Sequence, residues 1–151
     1  MTEGPKIEKI TTALARQMAQ PGGRTLVDVE RRAKERLVRH KGEVMAEIET
    51  AIAALEGLCA ARPGGASAEV YRLASRVLDL AGFFDTGPLF DAGYSLADVA
   101  DRMAVADAWD WPSVEVHVQA LRLILNGGCE RNPATDRMLA GLKAVAVKSR
   151  S

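Results

Sequence analysis

The chain contains few of the residues from which catalytic and metal sites are usually built. Of its 151 residues only two are histidine and two are cysteine, and aromatic residues make up 5%. Cys59 and Cys129 lie in unrelated segments without a CxxC pair, so neither a disulfide framework nor a metal site is indicated. The sequence also lacks the GxxxxGKS/T, GxGxxG, HExxH and GxSxG motifs. We therefore expect a protein that is not an enzyme and that carries no cofactor and no metal.

The sequence has no excess of charge of either sign. Twenty lysine and arginine residues balance twenty aspartate and glutamate residues, so no overall field attracts nucleic acid or an anionic membrane. Glu30, Glu35 and Glu43 lie among the basic residues of the segment 30–43, which is typical of a solvated helix face. No run approaches the ~18 apolar residues of a membrane span, and the start MTEGPKIEK lacks the apolar core of a signal peptide. These absences predict a cytoplasmic protein without membrane insertion.

Strand signals are nearly absent, apart from the short run VEVHV at 114–118. Glycine and proline collect in four short segments, QPGG (20–23), RPGG (62–65), NGG (126–128) and NP (132–133), which are typical starts and ends of helices. Between these segments apolar residues recur every three or four positions. The predicted helices cover 25–61, 67–82, a segment that begins at Pro88, the segment from Asp110 to NGG, and a segment after Asn132, with a short helix at 7–18.

The short connections between these segments favour antiparallel neighbours in the fold. The predicted fold class is therefore all-α, an up-and-down bundle of four helices with an extended N-terminal helix and an additional C-terminal helix. The segment 25–61 is either one helix or two helices with a bend near Gly42. We expect a tail or short helix at 1–24, the bundle at 25–126, and a C-terminal helix packed on the bundle at 127–151.

Both histidines lie near apolar stripes of predicted helices. A histidine in such a position is more often a hydrogen-bonded structural group than a nucleophile or a ligand. His40 has Arg39 and Lys41 beside it, so an exposed and reactive role for it stays open. Trp109 and Trp111 precede the fourth bundle helix, where packing at the edge of the bundle is the preferred interpretation.

The predicted helix at 67–82 has an unusual outer face. With about 100° per residue, one side of this helix carries a continuous apolar stripe that should face the core. The other side mixes apolar and charged residues around small ones: Tyr71, Arg72, Ser75, Arg76, Leu78, Asp79, Gly82 and Phe83. A face of this kind indicates that another protein, or another part of this chain, covers it. The covering part of this chain would be the N-terminal segment or a neighbouring helix.

The segment LASRVLDLAGFF (73–84) resembles the helix that carries the phosphorylated histidine in histidine phosphotransfer (Hpt) domains, particularly those of alphaproteobacteria. That helix has roughly the pattern AHxxKG, followed by small residues and by an aromatic residue nine positions after the histidine. Here Ala74 precedes the site at Ser75, Ala81 and Gly82 take the small positions, and Phe84 is the aromatic residue. VHVQALRLIL (116–125) is similar to the HVxALR of the last bundle helix in that family. The resemblance covers about residues 45–126.

The chain departs from the Hpt pattern at the positions that perform the chemistry. Ser75 stands in place of the phospho-accepting histidine, Leu78 in place of the lysine and Asp79 in place of a glycine, and Asp85 replaces a glycine after the aromatic residue. A serine hydroxyl without a base does not accept a phosphoryl group from an aspartyl phosphate as an imidazole does. Leu78 also removes the positive charge that the lysine supplies near the transferred group, and Asp79 adds a negative charge next to it. Phosphotransfer at this position is therefore not expected.

The resemblance implies a partner as well as a fold. In Hpt proteins a receiver domain of a response regulator binds to the face around the histidine, through apolar contacts with a charged rim. We therefore expect a non-catalytic Hpt-like protein that binds a receiver domain or a related two-component partner as an adaptor or regulator. The segment QPGGRTLVDVERRAKERL (20–37) is also similar to small proteins of alphaproteobacterial chemotaxis clusters of the CheE type.

Two other functions stay open at this stage. One is an active phosphotransfer protein in which His40 is a displaced phospho-acceptor. The other is a structural module in which the long helix (25–61) forms a homodimer through its apolar stripe.

Overall fold

The computed structural model describes residues 25–84 and 86–148. The predicted short helix at 7–18 and the departure at Asp85 lie outside these residues. The described part of the chain is all-helical and has no strand, which confirms the predicted fold class. It contains five helices: α1 (Leu26–Ala61), α2 (Ser67–Ala81), α3 (Pro88–Val105), α4 (Trp111–Asn126) and α5 (Pro133–Lys148). None of these helices is both long enough and apolar enough to cross a membrane.

The chain divides into two compact units, the first ending at Gly42 and the second beginning at Glu43. Helix α1 contains residues of both units. In the described part of the first unit, the Thr25 hydroxyl caps α1 by accepting a hydrogen bond from the backbone N–H of Asp28 at 3.1 Å. Several apolar side chains of this part of α1 are exposed to solvent, namely Leu26, Val27, Val29, Leu37 and Val38.

The second unit has a single apolar core, which is built around α3. This helix packs against α2, α4 and α5, and α5 also packs against α4. The predicted apolar stripe of α2 faces this core, with Val70, Leu73, Ala74, Val77, Leu80 and Ala81 buried. The part of α1 after Gly42 contributes Val44, Ile48, Ala51, Ile52 and Leu55. The C-terminal helix α5 packs on α3 and α4.

Local signals fix where the helices begin and end. The Asp110 carboxylate accepts a hydrogen bond from the backbone N–H of Ser113 at 3.1 Å and so caps the start of α4. At the start of α5, Asn132 and Thr135 each accept the other's backbone N–H at 2.9 Å. After α4, Gly128 has a φ of 76°, a left-handed conformation that suits glycine. These capping contacts and the glycine conformation explain why α4 and α5 begin, and α4 ends, close to the positions that the sequence predicts.

Ion pairs at the surface join the helices of the second unit. The Arg122 guanidinium on α4 contacts both Glu49 and Glu56 of α1, at 2.6 Å and 2.7 Å. Hydrogen bonds from Arg122 lower the pKa of the Glu56 carboxyl. Arg76 on α2 pairs with Glu47 of α1. These contacts hold α1, from Glu43 onward, in register with α2 and α4.

Candidate functional site

The contact between α2 and α3 positions the outer face of α2. Gly93 of α3 lies against α2, where a Cβ built on it would be 3.5 Å from Val77 Cγ1 and 3.6 Å from the backbone nitrogen of Leu78. These are ordinary van der Waals distances, so a residue no larger than alanine at position 93 lets α3 approach the backbone of α2 closely. The two helices form a hairpin, and its outer surface contains residues from both.

Aromatic side chains are exposed along this outer surface. On α2 and the turn after it, Tyr71 is 46% exposed and Phe83 is 68% exposed. On α3, Phe90 and Tyr94 are 41% and 60% exposed. Leu78 is half-buried among them. We refer to Tyr71, Leu78, Phe83, Phe90 and Tyr94 as the aromatic face.

A shallow groove of about 410 Å³ lies within the aromatic face. Its lining residues come from both helices and from the turn between them, and they are Leu78, Asp79, Gly82, Phe83 and Phe90. Gly82 follows the last residue of α2, and a Cβ on it would be 3.8 Å from the ring of Phe90. A small residue at this position therefore keeps the groove open beside Phe90.

The structure places Phe90 in one groove with four of the residues that the sequence selected, namely Leu78, Asp79, Gly82 and Phe83. Tyr94 lies one helical turn after Phe90 on α3. Neither aromatic residue was selected from the sequence, although a signal was present. The two residues are four positions apart on α3, so they share one side of that helix. They lie beside the stripe that contains Leu89 and Leu96, which are fully buried. A helical projection of α3 would have found them.

The charged residues around the aromatic face are mostly paired. The Arg72 guanidinium makes two hydrogen bonds to the Glu69 carboxylate, at 2.9 Å and 2.6 Å. These bonds lower the pKa of Glu69. Arg76 is held by Glu47. Asp79 is exposed and makes no ion pair with any described residue. No cation in the described part of the chain therefore neutralises the negative charge of Asp79.

Ser75 lies half-buried at the centre of the α2 residues that the sequence selected. Among the described residues, no imidazole or carboxylate hydrogen-bonds its hydroxyl. A serine needs such a base to become a nucleophile at neutral pH. Among the described residues, Ser75 therefore has no group that would activate its hydroxyl.

His117 is a fully buried core residue on α4. Its Nδ1 lies 2.7 Å from the Ser113 carbonyl oxygen, which can only accept, so Nδ1 carries the proton. The neutral ring then accepts from the Ser95 hydroxyl at Nε2, at 2.9 Å. Burial lowers the pKa of His117. This environment agrees with the structural role inferred from its place on an apolar stripe.

His40 is exposed on α1 and belongs to the first unit, whereas Ser75 belongs to the second. Its role as an alternative phospho-acceptor stays a prediction. Within residues 25–84 and 86–148, no three histidine, cysteine, aspartate or glutamate side chains are grouped so that they could hold a metal ion.

The surroundings of Trp109, Trp111 and Cys59 are typical of residues that pack in or beside the core. The rings of Trp109 and Trp111 pack edge to face, with centroids 5.5 Å apart, against the core at the start of α4. Burial raises the pKa of the Cys59 thiol to about 11, and the nearby Glu115 adds to this rise. A thiol with so high a pKa is a poor nucleophile at neutral pH.

Comparisons with known proteins assign no function to the chain, so a proposal has to rest on the residues and contacts described above. No protein-family model, no curated protein and no solved structure matches the chain.

Proposed function

We propose that the chain is a non-catalytic, Hpt-like signalling protein that binds a receiver domain of a response regulator, or a related two-component or chemotaxis partner, through the aromatic face. The observation that carries this proposal is the exposure of Tyr71 and Phe83 on the outer side of α2 and the turn after it, with Phe90 of α3 lining the same groove as Phe83. The resemblance aligns Ser75 of this helix with the histidine that an Hpt domain presents. Exposed aromatic residues clustered around a shallow groove are typical of the centre of a protein interface.

The chemistry of the face supports a role in binding rather than in transfer. Ser75 has no base among the described residues, and Leu78 supplies no positive charge for a transferred phosphoryl group. The apolar residues can still form the centre of an interface with a receiver domain, and the paired charged residues can form its rim. An adaptor or a regulator needs such a binding surface for the receiver domain and needs no catalytic group.

The test is a binding titration of the purified protein against the receiver domains of its source organism. Leu78→Arg introduces a long charged side chain into the groove, and we expect at least a tenfold increase in Kd for the bound receiver. Because Leu78 is half-buried, Phe83→Arg provides a second variant at a more exposed position. The matched control is Leu123→Arg on α4, where the leucine is 59% exposed and outside the aromatic face.

Circular dichroism and the melting temperature of each variant show whether the bundle is intact. If Leu78→Arg and Phe83→Arg both bind with the affinity of the wild type, the aromatic face is not the binding surface. If no receiver domain binds the wild-type protein, the proposed function is wrong.

A second candidate function is self-association of α1. The observation that favours it is the exposure of apolar side chains on the first part of this helix, where Leu26 is 61% and Leu37 is 60% exposed. A second copy could cover them in a homodimer. Light scattering at a protein concentration of roughly tens of micromolar would then report a dimer. Leu37→Glu would convert this dimer to a monomer. A monomeric wild-type protein would contradict this function.

A further inference from the structure

On the outer surface of α2, Asp79 is the one charged side chain that makes no ion pair within residues 25–84 and 86–148, and its charge is negative. Asp79 follows Ser75 by four residues, so the two side chains are neighbours on the same side of the helix, about 6 Å apart. The two arginines on this surface are committed to other carboxylates. Arg72 is bound to Glu69 through two hydrogen bonds, and Arg76 is bound to Glu47. A negatively charged group that approaches Ser75 therefore meets Asp79 without a free arginine of α2 to offset it.

We infer that the aromatic face distinguishes the two states of its receiver partner and binds the unphosphorylated state in preference to the phosphorylated state. This inference rests on the proposed function, because it requires a receiver domain whose phosphorylation site faces Ser75. Phosphorylation of the receiver aspartate adds about one negative charge at neutral pH. Like charges placed opposite each other in an interface weaken the complex. The protein would then hold the inactive receiver and release it when the receiver is phosphorylated.

The size of the preference follows from the separation of the charges. A charge that faces Ser75 is separated from Asp79 by about the i, i+4 neighbour distance of ~6 Å. At a partly exposed interface, one such extra charge weakens binding by about five- to tenfold. This repulsion falls as the ionic strength rises, because Asp79 is exposed. Removing the charge of Asp79 should bring the affinities for the two receiver states closer together.

The experiment compares Kd for one receiver domain in its free form and in its beryllofluoride-bound form, which imitates the phosphorylated aspartate. We expect the wild-type protein to bind the free form about five- to tenfold more tightly. Asp79→Asn should reduce this ratio to about two or less, mainly by improving the binding of the beryllofluoride form. The matched control is Asp107→Asn in the turn after α3. Asp107 has a φ of 50°, which asparagine also adopts readily, so the variant should keep the wild-type ratio.

The outcomes separate the inference from the proposal on which it rests. Equal affinity for the two forms, or tighter binding of the beryllofluoride form, would overturn the inference while the proposed function stands. A ratio that Asp79→Asn leaves unchanged would show that another group recognises the receiver state. Binding of neither form would refute the proposed function, and the inference with it.

Discussion

Substitutions at Gly93 test the close contact between α2 and α3. A methyl group at this position would lie 3.5 Å from Val77 Cγ1, 3.6 Å from the Leu78 nitrogen and 3.7 Å from the Leu78 Cα, all ordinary van der Waals distances. Alanine therefore fits, and it also gains the helix propensity that glycine lacks. We expect Gly93→Ala to raise the free energy of unfolding by about 1 kcal/mol.

A larger side chain at the same position should have the opposite effect. Gly93→Leu adds three further carbons beyond the Cβ, toward the backbone of Leu78, so α2 and α3 would have to separate. We expect a loss of about 1–3 kcal/mol in the free energy of unfolding. Gly141 in α5 is the matched control, because a Cβ there meets nothing within 4 Å. Both Gly141→Ala and Gly141→Leu should stabilise the protein.

Urea unfolding followed by far-ultraviolet circular dichroism measures all four variants. The reasoning would be refuted if Gly93→Leu were as stable as Gly141→Leu, because the two helices could not then be in close contact at Leu78. A marked destabilisation by Gly93→Ala would refute it in the other direction, since the site would be too tight for a methyl group.

Two further predictions follow from shifted pKa values. Because burial lowers the pKa of His117, the unfolded chain takes up a proton before the folded chain does. The stability contributed by neutral His117 is therefore complete above about pH 6.5. As the pH falls toward the folded pKa, this stability is lost at up to about 1.4 kcal/mol per pH unit. Urea unfolding between about pH 8 and pH 5 should show this slope, and His117→Gln should remove it. Since the pKa of Cys59 is raised from 9.0 to about 11, its thiolate fraction at neutral pH is about 100-fold smaller than that of an unperturbed thiol. Iodoacetamide should accordingly label Cys59 far more slowly in the folded protein than in urea, as peptide mass spectrometry can measure, and equal rates would contradict the shift.

The helices were predictable because their signals are local. The expected segment at 67–82 corresponds to α2 at Ser67–Ala81, and Pro88, Asp110 and Asn132 stand at or just before the starts of α3, α4 and α5. Capping residues, glycine and proline act on the few residues beside them, so their effect can be inferred without tertiary structure. The apolar stripe of α2 was confirmed for the same reason, since a period of 3.6 residues specifies one side of a helix.

The composition of the aromatic face was only partly predictable. Tyr71, Leu78 and Phe83 stand out on a projection of α2 alone, but Phe90 and Tyr94 join them only because α3 packs beside α2. That packing requires a small residue at position 93, and this requirement cannot be seen until the two helices are placed together. The ion pair of Arg76 with Glu47 likewise joins two helices, so it could not be inferred from α2 alone.

The central position of α3 has a consequence for how binding could be detected. This helix packs against α2, α4 and α5, while its Phe90 and Tyr94 are exposed on the aromatic face. Opening of α3 requires that its three neighbours lose their packing, so its amide protons should exchange with solvent mainly through global unfolding. A ligand that contacts Phe90 and Tyr94 stabilises the folded state and makes that unfolding rarer. Hydrogen exchange should therefore slow in buried segments of α4 and α5 that the ligand never touches.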